Sequence, residues 1–138
     1  MRTVIFDAAR VGPWVAEKVD PDYKDGDLAV GVEHDGVLVA GVLLNDFNGS
    51  NIHAHLRVDN PFGMNHDFLK EVFALVFEKM GARRMTAACD GTNERILLLL
   101  IKMGFSCEAI LVDFLPAGAL YVMVMWPEKC RYLEKKHG

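Results

Sequence analysis

Residues 73–105 read Phe-Ala-Leu-Val-Phe-Glu-Lys-Met-Gly-Ala-Arg-Arg-Met-Thr-Ala-Ala-Cys-Asp-Gly-Thr-Asn-Glu-Arg-Ile-Leu-Leu-Leu-Leu-Ile-Lys-Met-Gly-Phe, a helix, a strand and a second helix in succession. Phe68, Leu69, Val72, Phe73, Leu75, Val76, Phe77 and Met80 form a broad apolar stripe at helical spacing, with Lys70, Glu71, Glu78 and Lys79 mostly on the other side. Asn65 or Asp67 can cap that helix, and Gly81 after Met80 stops it. Arg84–Cys89 then reads as a strand, Asp90-Gly91-Thr92-Asn93 as a turn and cap, and Glu94–Met103 as a second helix ended by Gly104.

Upstream lies Ile52–Val58, where Ile52, Ala54, Leu56 and Val58 alternate with His53, His55 and Arg57. That period of two predicts a strand with one apolar and one polar face. Asp59-Asn60-Pro61-Phe62-Gly63 breaks it, so a strand, a crossing helix and the strand at Arg84–Cys89 form a β-α-β unit with near-parallel strands. In front, Leu28–Glu33 and Val37–Leu44 flank His34-Asp35-Gly36, a tight-hairpin signature, and Asp46–Asn51 is a second turn. A strand at Thr3–Phe6 opens the chain, and a helix starting at Gly12-Pro13 carries Val11, Trp14, Val15 and Val19 before Pro21 closes it. Strands at Phe105–Asp113 and Ala119–Trp126, split by Pro116-Ala117-Gly118, precede a charged tail with a partial turn of helix. The expected class is α/β: a mixed sheet with an antiparallel meander followed by the crossover, in one domain spanning 1–138.

Composition agrees with one packed unit. The 138 residues are 51% hydrophobic and 25% charged, which excludes wholesale disorder. The net charge of −4 lacks the basic footprint of a nucleic-acid binder and is compatible with a basic substrate. The apolar runs Gly36–Leu44 and Ile96–Ile101 fall far short of the roughly 20 residues that cross a bilayer, so no membrane partner is expected. The start Met1-Arg2-Thr3-Val4-Ile5-Phe6-Asp7 has no secretory h-region, and Cys89, Cys107 and Cys130 show neither a C-x-x-C pair nor an even count. A cytoplasmic protein with reduced thiols is expected.

The stretch 73–105 resembles the core of GCN5-related N-acetyltransferases, in particular the branch of ribosomal-protein N-terminal acetyltransferases and small phage-encoded relatives. The likeness rests on Phe77-x-x-x-Gly81, the following strand, Asn93-Glu94-Arg95, the short helix and Lys102-Met103-Gly104-Phe105, and more faintly on residues 123–132. It implies that acetyl-CoA lies where the strand Ile52–Val58 splays from Arg84–Cys89. There Leu56, Arg57 and Val58 would pair with the pantetheine arm, their N–H groups also polarising the thioester carbonyl. Phe62, Gly63, Met64, Asn65 and His66 would face the pyrophosphate from a helix start, and Asn93 would orient the cofactor. The sequence departs from the family at two places: Asn60–His66 carries one glycine where most members have a glycine-rich loop, and Leu100 stands where many place an acidic tyrosine.

On the polar face of Ile52–Val58, His55 is the leading candidate for general base and His53 the second, since imidazole can take the proton from an ammonium near neutral pH. The plainer alternative is a pair of tolerated strand histidines. With His66 or Asp67 they could also hold a metal, yet nothing else resembles a site and no metal is expected. Cys89 reads as a small buried hydrophobe rather than a nucleophile, and Met64, Met80, Met85 and Met103 as core filling. Trp14, Tyr23 and the acidic loop Asp20–Asp27 are what the front half offers an acceptor, and the loop reads equally as a solvated turn. The all-apolar Ile96–Ile101 leaves an outward side that either a neighbouring element of the chain or a second copy covers, so a homodimer is one expectation and intrachain burial the other. The implied activity is transfer of acetyl to a primary amine on a small molecule or peptide, the alternative being a silent module of the same fold that binds or assembles, with or without CoA.

Overall fold

Asp35 and Gly36 both take positive φ, 51° and 85°. That pair of left-handed residues makes a two-residue hairpin whose twist matches its strands. It joins β2 (Leu28–His34) to β3 (Val37–Asn45) with His34 opposite Val37, so His34 belongs to the strand rather than to the turn. β1 (Arg2–Ile5) pairs with β2, and β4 (Asn51–Val58) with β3, all antiparallel. A computed structural model describes residues 2–19 and 23–133 of the chain.

The first helix, α1 (Ala8–Ala16), starts a turn earlier than Gly12-Pro13 suggests. Asp7 sets the start by accepting a hydrogen bond from the Arg10 N–H at 3.3 Å, and Pro13 lies inside. Proline removes one helical hydrogen bond and crowds the preceding turn, and this helix ends three residues later. Val19 lies beyond the helix end, and Pro21 lies outside the described residues. Gly31 and Gly41, paired across β2 and β3, let α1 settle onto the sheet. A Cβ at Gly31 would stand 2.9 Å from Val11, and one at Gly41 3.0 Å from Val15.

Asn65, not Asp67, caps α2 (His66–Phe73), its Oδ1 accepting from the Phe68 N–H at 2.8 Å. The apolar stripe continues to Lys79, but over Ala74–Lys79 the backbone widens to π-helix, as in the Met80 N–H to Leu75 C=O bond. β5 (Arg84–Asp90) follows, then α3 (Glu94–Met103), β6 (Ser106–Leu115) and β7 (Gly118–Met125), with a short 3₁₀ turn at Pro127–Lys129 in the tail. The seven strands run in the order β1-β2-β3-β4-β5-β7-β6, with β4 and β5 parallel.

On one face, Phe68, Val72, Phe73 and Val76 pack with Ile52, Ala54, Met85, Leu100 and Met103. The fully buried Phe68 and Phe73 each contribute about 2–3 kcal/mol of hydrophobic stabilisation. Phe73 also stacks against Tyr132 at 5.4 Å and tilts against Phe105 at 6.3 Å, so Phe105 belongs to the core rather than to the strand. The opposite face holds α1 through Val11 and Val15 over Ala29 and Leu43. Met85 and Met103 are buried, while Met64 and Met80 pack at the margin. Among the described residues no helix is long and apolar enough to cross a membrane.

Candidate functional site

β4 and β5 are joined only at their beginnings, through Asn51–Arg84, Ile52–Met85 and His53–Thr86. A polar knot holds that end closed. Thr86 Oγ1 donates to Asn51 Oδ1 at 2.5 Å, Arg84 Nε donates to the same oxygen at 3.1 Å, and the Arg84 guanidinium reaches Glu108 at 2.6 Å and 2.9 Å. Beyond it the strands diverge, each still paired to its other neighbour. The facing edges over residues 54–58 and 87–90 are left as unpaired backbone.

The divergence opens a cavity of about 730 Å³. Ala54, Leu56, Ala87 and Cys89 line it on the α2–α3 face, while His55, Ala88 and Asp90 line it on the α1 face. The gap therefore connects the two faces of the sheet, and a long ligand in it can meet a second molecule arriving from the other side. Small side chains at Ala54, Ala87 and Ala88 leave the backbone edges reachable, so an extended, amide-bearing chain can bond them as an added strand would.

The candidate residues fall into three groups. His55 lines the cavity with its Nε2 3.0 Å from the Oδ1 of Asn45, itself only 7% exposed, so a buried side chain orients the imidazole. His53 sits one pleat earlier on the same face and does not line the cavity. Leu56 lines it directly, whereas the Arg57 side chain is committed elsewhere. Its Nε and one terminal nitrogen grip both Asp59 oxygens at 2.8 Å, and the other nitrogen reaches the Trp14 carbonyl at 2.6 Å and Glu17 at 3.1 Å. Its hydrogen bond and charge hold the Asp59 carboxyl below the usual carboxylate range. Arg57 and Val58 thus offer a ligand their backbone.

In the connection to α2, Asn60 Oδ1 accepts from the Phe62 N–H at 3.0 Å. The Gly63 and Met64 N–H groups donate to the Asn60 and Pro61 carbonyls. Those three amides are turned inward. The amides of Asn65, His66 and Asp67 make no hydrogen bond among the described residues, which leaves the first turn of α2 as the available donor set. Asp67 in that turn opposes an anion there. Phe62 is exposed, and its ring lies under Arg2 at 5.8 Å.

Asn93 caps α3 through Oδ1 to the Ile96 N–H at 3.3 Å and lines the cavity. Leu100, 3% exposed, closes the wall below it. Cys89 is buried in the same wall, and desolvation together with the Asp90 charge pushes its thiol up, so it stays protonated and weakly nucleophilic at neutral pH.

Asp90 gave no sequence signal beyond its place in a turn, yet it presents a carboxylate to the cavity. Bonds from the Thr92 N–H at 2.9 Å and hydroxyl at 2.8 Å hold it below the usual range and therefore ionised. No group of three or more potential metal ligands comes together among the described residues.

No protein-family model matches the sequence, and no curated protein matches it. Solved structures do match its shape. Mutant forms of the spermidine/spermine N-acetyltransferase SpeG from Vibrio cholerae superpose with a TM-score of 0.72 at 13% identity, over 94% of this chain and 96% of that one. A GNAT-family acetyltransferase from Elizabethkingia anophelis with acetyl-CoA bound gives 0.70 at 14% identity, over 91% and 97%. A GNAT-family acetyltransferase from Bacillus anthracis gives 0.61 at 19%, over 72% and 66%. The chain therefore has the fold of the GCN5-related N-acetyltransferases, with the seven-stranded mixed sheet that the meander and crossover predict.

Proposed function

We propose that this protein is an N-acetyltransferase that uses acetyl-CoA as co-substrate and delivers the acetyl group to a primary amine on a small molecule or peptide. The observation that carries it is the gap between β4 and β5, a cavity with unpaired backbone on both sides that opens to both faces of the sheet. Its alanine lining and free strand edges suit the pantetheine arm, and the shape-matched Elizabethkingia anophelis protein has acetyl-CoA bound. Leu56, Arg57 and Val58 would hold the arm by their backbone. Asn93 would orient it by its carboxamide. The segment Phe62–His66 would meet the pyrophosphate, chiefly through the amides of Asn65 and His66, with Phe62, Gly63 and Met64 shaping the turn behind them.

Acetyl-CoA would supply the thioester: the ammonium gives one proton to a base, the amine nitrogen bonds to the carbonyl carbon, the C–S bond breaks, and the nitrogen's second proton goes to the departing sulfur, which leaves as the thiol of CoA. The chain's residues do the rest. His55, oriented by Asn45, takes the first proton directly or through water, and His53 stands behind it as the second candidate. Backbone N–H groups of the β4 edge polarise the carbonyl. No hydroxyl stands at Leu100, so juxtaposition of the two reactants in the gap carries much of the rate.

The motif around Asn93-Glu94-Arg95 and Lys102–Phe105 supports placing the chain beside the ribosomal-protein N-terminal acetyltransferases and their phage-encoded relatives. Three free cysteines support a cytoplasmic setting. Leu98 and Ile101 on α3 are more than half exposed, which supports a homodimer, and sedimentation at tens of micromolar tests it. The inward-turned amides of Phe62–Met64 favour a second reading, a silent binding module of the same fold. Thiol release from acetyl-CoA with an amine panel decides between them. The first reading expects turnover that drops at least about 100-fold in His55→Ala, within the usual span for a general base. Cofactor binding with no turnover of any amine selects the second.

A further inference from the structure

At the open end of the gap a second cavity, of about 610 Å³, adjoins the first and shares Lys18, Val19, Leu56, Asn93 and Ile96 with it. Its charged lining is Lys18, Arg57, Asp59 and Arg95. Arg57 and Asp59 are closed on each other by two 2.8 Å hydrogen bonds, so the pair adds little net charge. Lys18 and Arg95 make no ion pair with a described residue, although both act electrostatically on Asp59, which brings them to one small region. Glu17, which also pairs with Arg57 at 3.1 Å, leaves the region with an excess of one positive charge, carried by Lys18 and Arg95. The crevice spans the open end of the gap, from Asn93, Arg95 and Ile96 at the start of α3 to the α1 side, where Lys18 follows the end of α1 and Arg57 binds the Trp14 carbonyl in that helix. Acetyl-CoA as proposed above would share the backbone of Leu56–Val58 and Asn93 with this crevice and carry its phosphates to the start of α2, which leaves the Lys18 and Arg95 side chains without a role in holding it. On the α1 face the main cavity adds one carboxylate, Asp90, kept ionised by Thr92.

We propose that the acceptor is a small amine that also carries an anionic group a few bonds away, an amino acid or amino phosphate. Lys18 and Arg95 bind the anion, and Asp90 seats the ammonium beside His55. This rests on the acetyltransferase reading and sharpens it. A polyamine is disfavoured, because its further ammonium groups would meet Lys18 and Arg95. The residues come from the end of α1, the end of β5 and the first turn of α3, so only the folded chain brings them to one place.

The test is thiol release from acetyl-CoA by the full chain with glycine, glutamate, phosphoethanolamine, butylamine and spermidine, alongside calorimetry of acetyl-CoA. The expected result is kcat/KM at least about tenfold higher for an anionic amine than for butylamine or spermidine, a difference of ~1.4 kcal/mol. Lys18→Glu and Arg95→Glu, both at exposed positions, should erase that preference while acetyl-CoA Kd stays within about twofold. Three results overturn the proposal: spermidine turned over best, no anionic amine turned over, or acetyl-CoA affinity lost in both variants, which would give the crevice to the cofactor's phosphates. If the native chain fails to bind acetyl-CoA at all, the acetyltransferase reading falls with it. Binding without an anionic preference removes this inference alone.

Discussion

Replacing Arg57 with methionine keeps the aliphatic stem and removes every polar contact, and the structure sets the cost. Trp14 is in the last turn of α1, where carbonyls lack helical partners, and no basic residue in that turn offsets the dipole. Arg57 supplies both needs from another element, donating to the Trp14 carbonyl at 2.6 Å with its guanidinium 3.8 Å from the Trp14 ring centroid. A charge-assisted hydrogen bond of this kind contributes about 1.5–3 kcal/mol. Stacking on tryptophan adds about 1 kcal/mol. The Asp59 and Glu17 carboxylates are 44% and 67% exposed, so they return to water and their ion pairs contribute only about 0–1 kcal/mol together. The sum is about 3 kcal/mol. With a urea slope of about 1.5–2 kcal/mol/M for a domain this size, the midpoint should fall by roughly 1.5–2 M at unchanged slope. Tryptophan fluorescence is a suitable probe, since Trp14 is at the lesion. A shift below about 0.5 M would refute the assignment of Arg57 as the tie between α1 and β4.

The Asp59, Asp90 and Glu108 carboxyls are all held below their ordinary values, by Arg57, by the Thr92 N–H and by Arg84 respectively. A depressed carboxylate stabilises the fold above its unfolded pKa of about 4 and loses that contribution as pH falls through the folded value. Thermal scans from pH 6 to pH 2.5 should therefore show Tm falling below about pH 4, with a shallower fall in Asp59→Asn. Asn93→Ala should lose about 1 kcal/mol with the cap and weaken acetyl-CoA binding. Asn93→Ser should keep the cap and still weaken binding; equal affinity in native and serine forms would remove the carboxamide from the site. Iodoacetamide mapped by mass spectrometry should label exposed Cys107 first and buried Cys89 and Cys130 slowly, with acetyl-CoA slowing Cys89 further. Fast labelling of Cys89 would contradict a desolvated, protonated thiol.

Where a single local device decides an element, the sequence was enough. Asp35-Gly36 marks the hairpin because few residues accept two consecutive positive φ values, and the Asn93 cap with Gly104 bounds α3 at Glu94–Met103. The start of α1 was less legible because two signals compete, and the Asp7 cap outweighs the proline at 13. The strand read over Phe105–Asp113 carries Ile110, Leu111 and Val112 in a row, yet β6 is exposed along nearly its whole length. Its burial depends on the strand order, which puts β7 between it and β5, and composition does not encode that order. In the site, His55 and Asn93 could be picked out on strand alternation and motif. The convergence of Asp90, Lys18 and Arg95 could not, because it arises only when the ends of α1, β4 and β5 and the start of α3 meet.

Whether the gap between β4 and β5 holds acetyl-CoA is decided by titration calorimetry of the full chain with acetyl-CoA and, separately, with CoA. The expected result is saturable, one-to-one binding with Kd in the micromolar range, about −8 kcal/mol. No heat of binding at millimolar cofactor would contradict it.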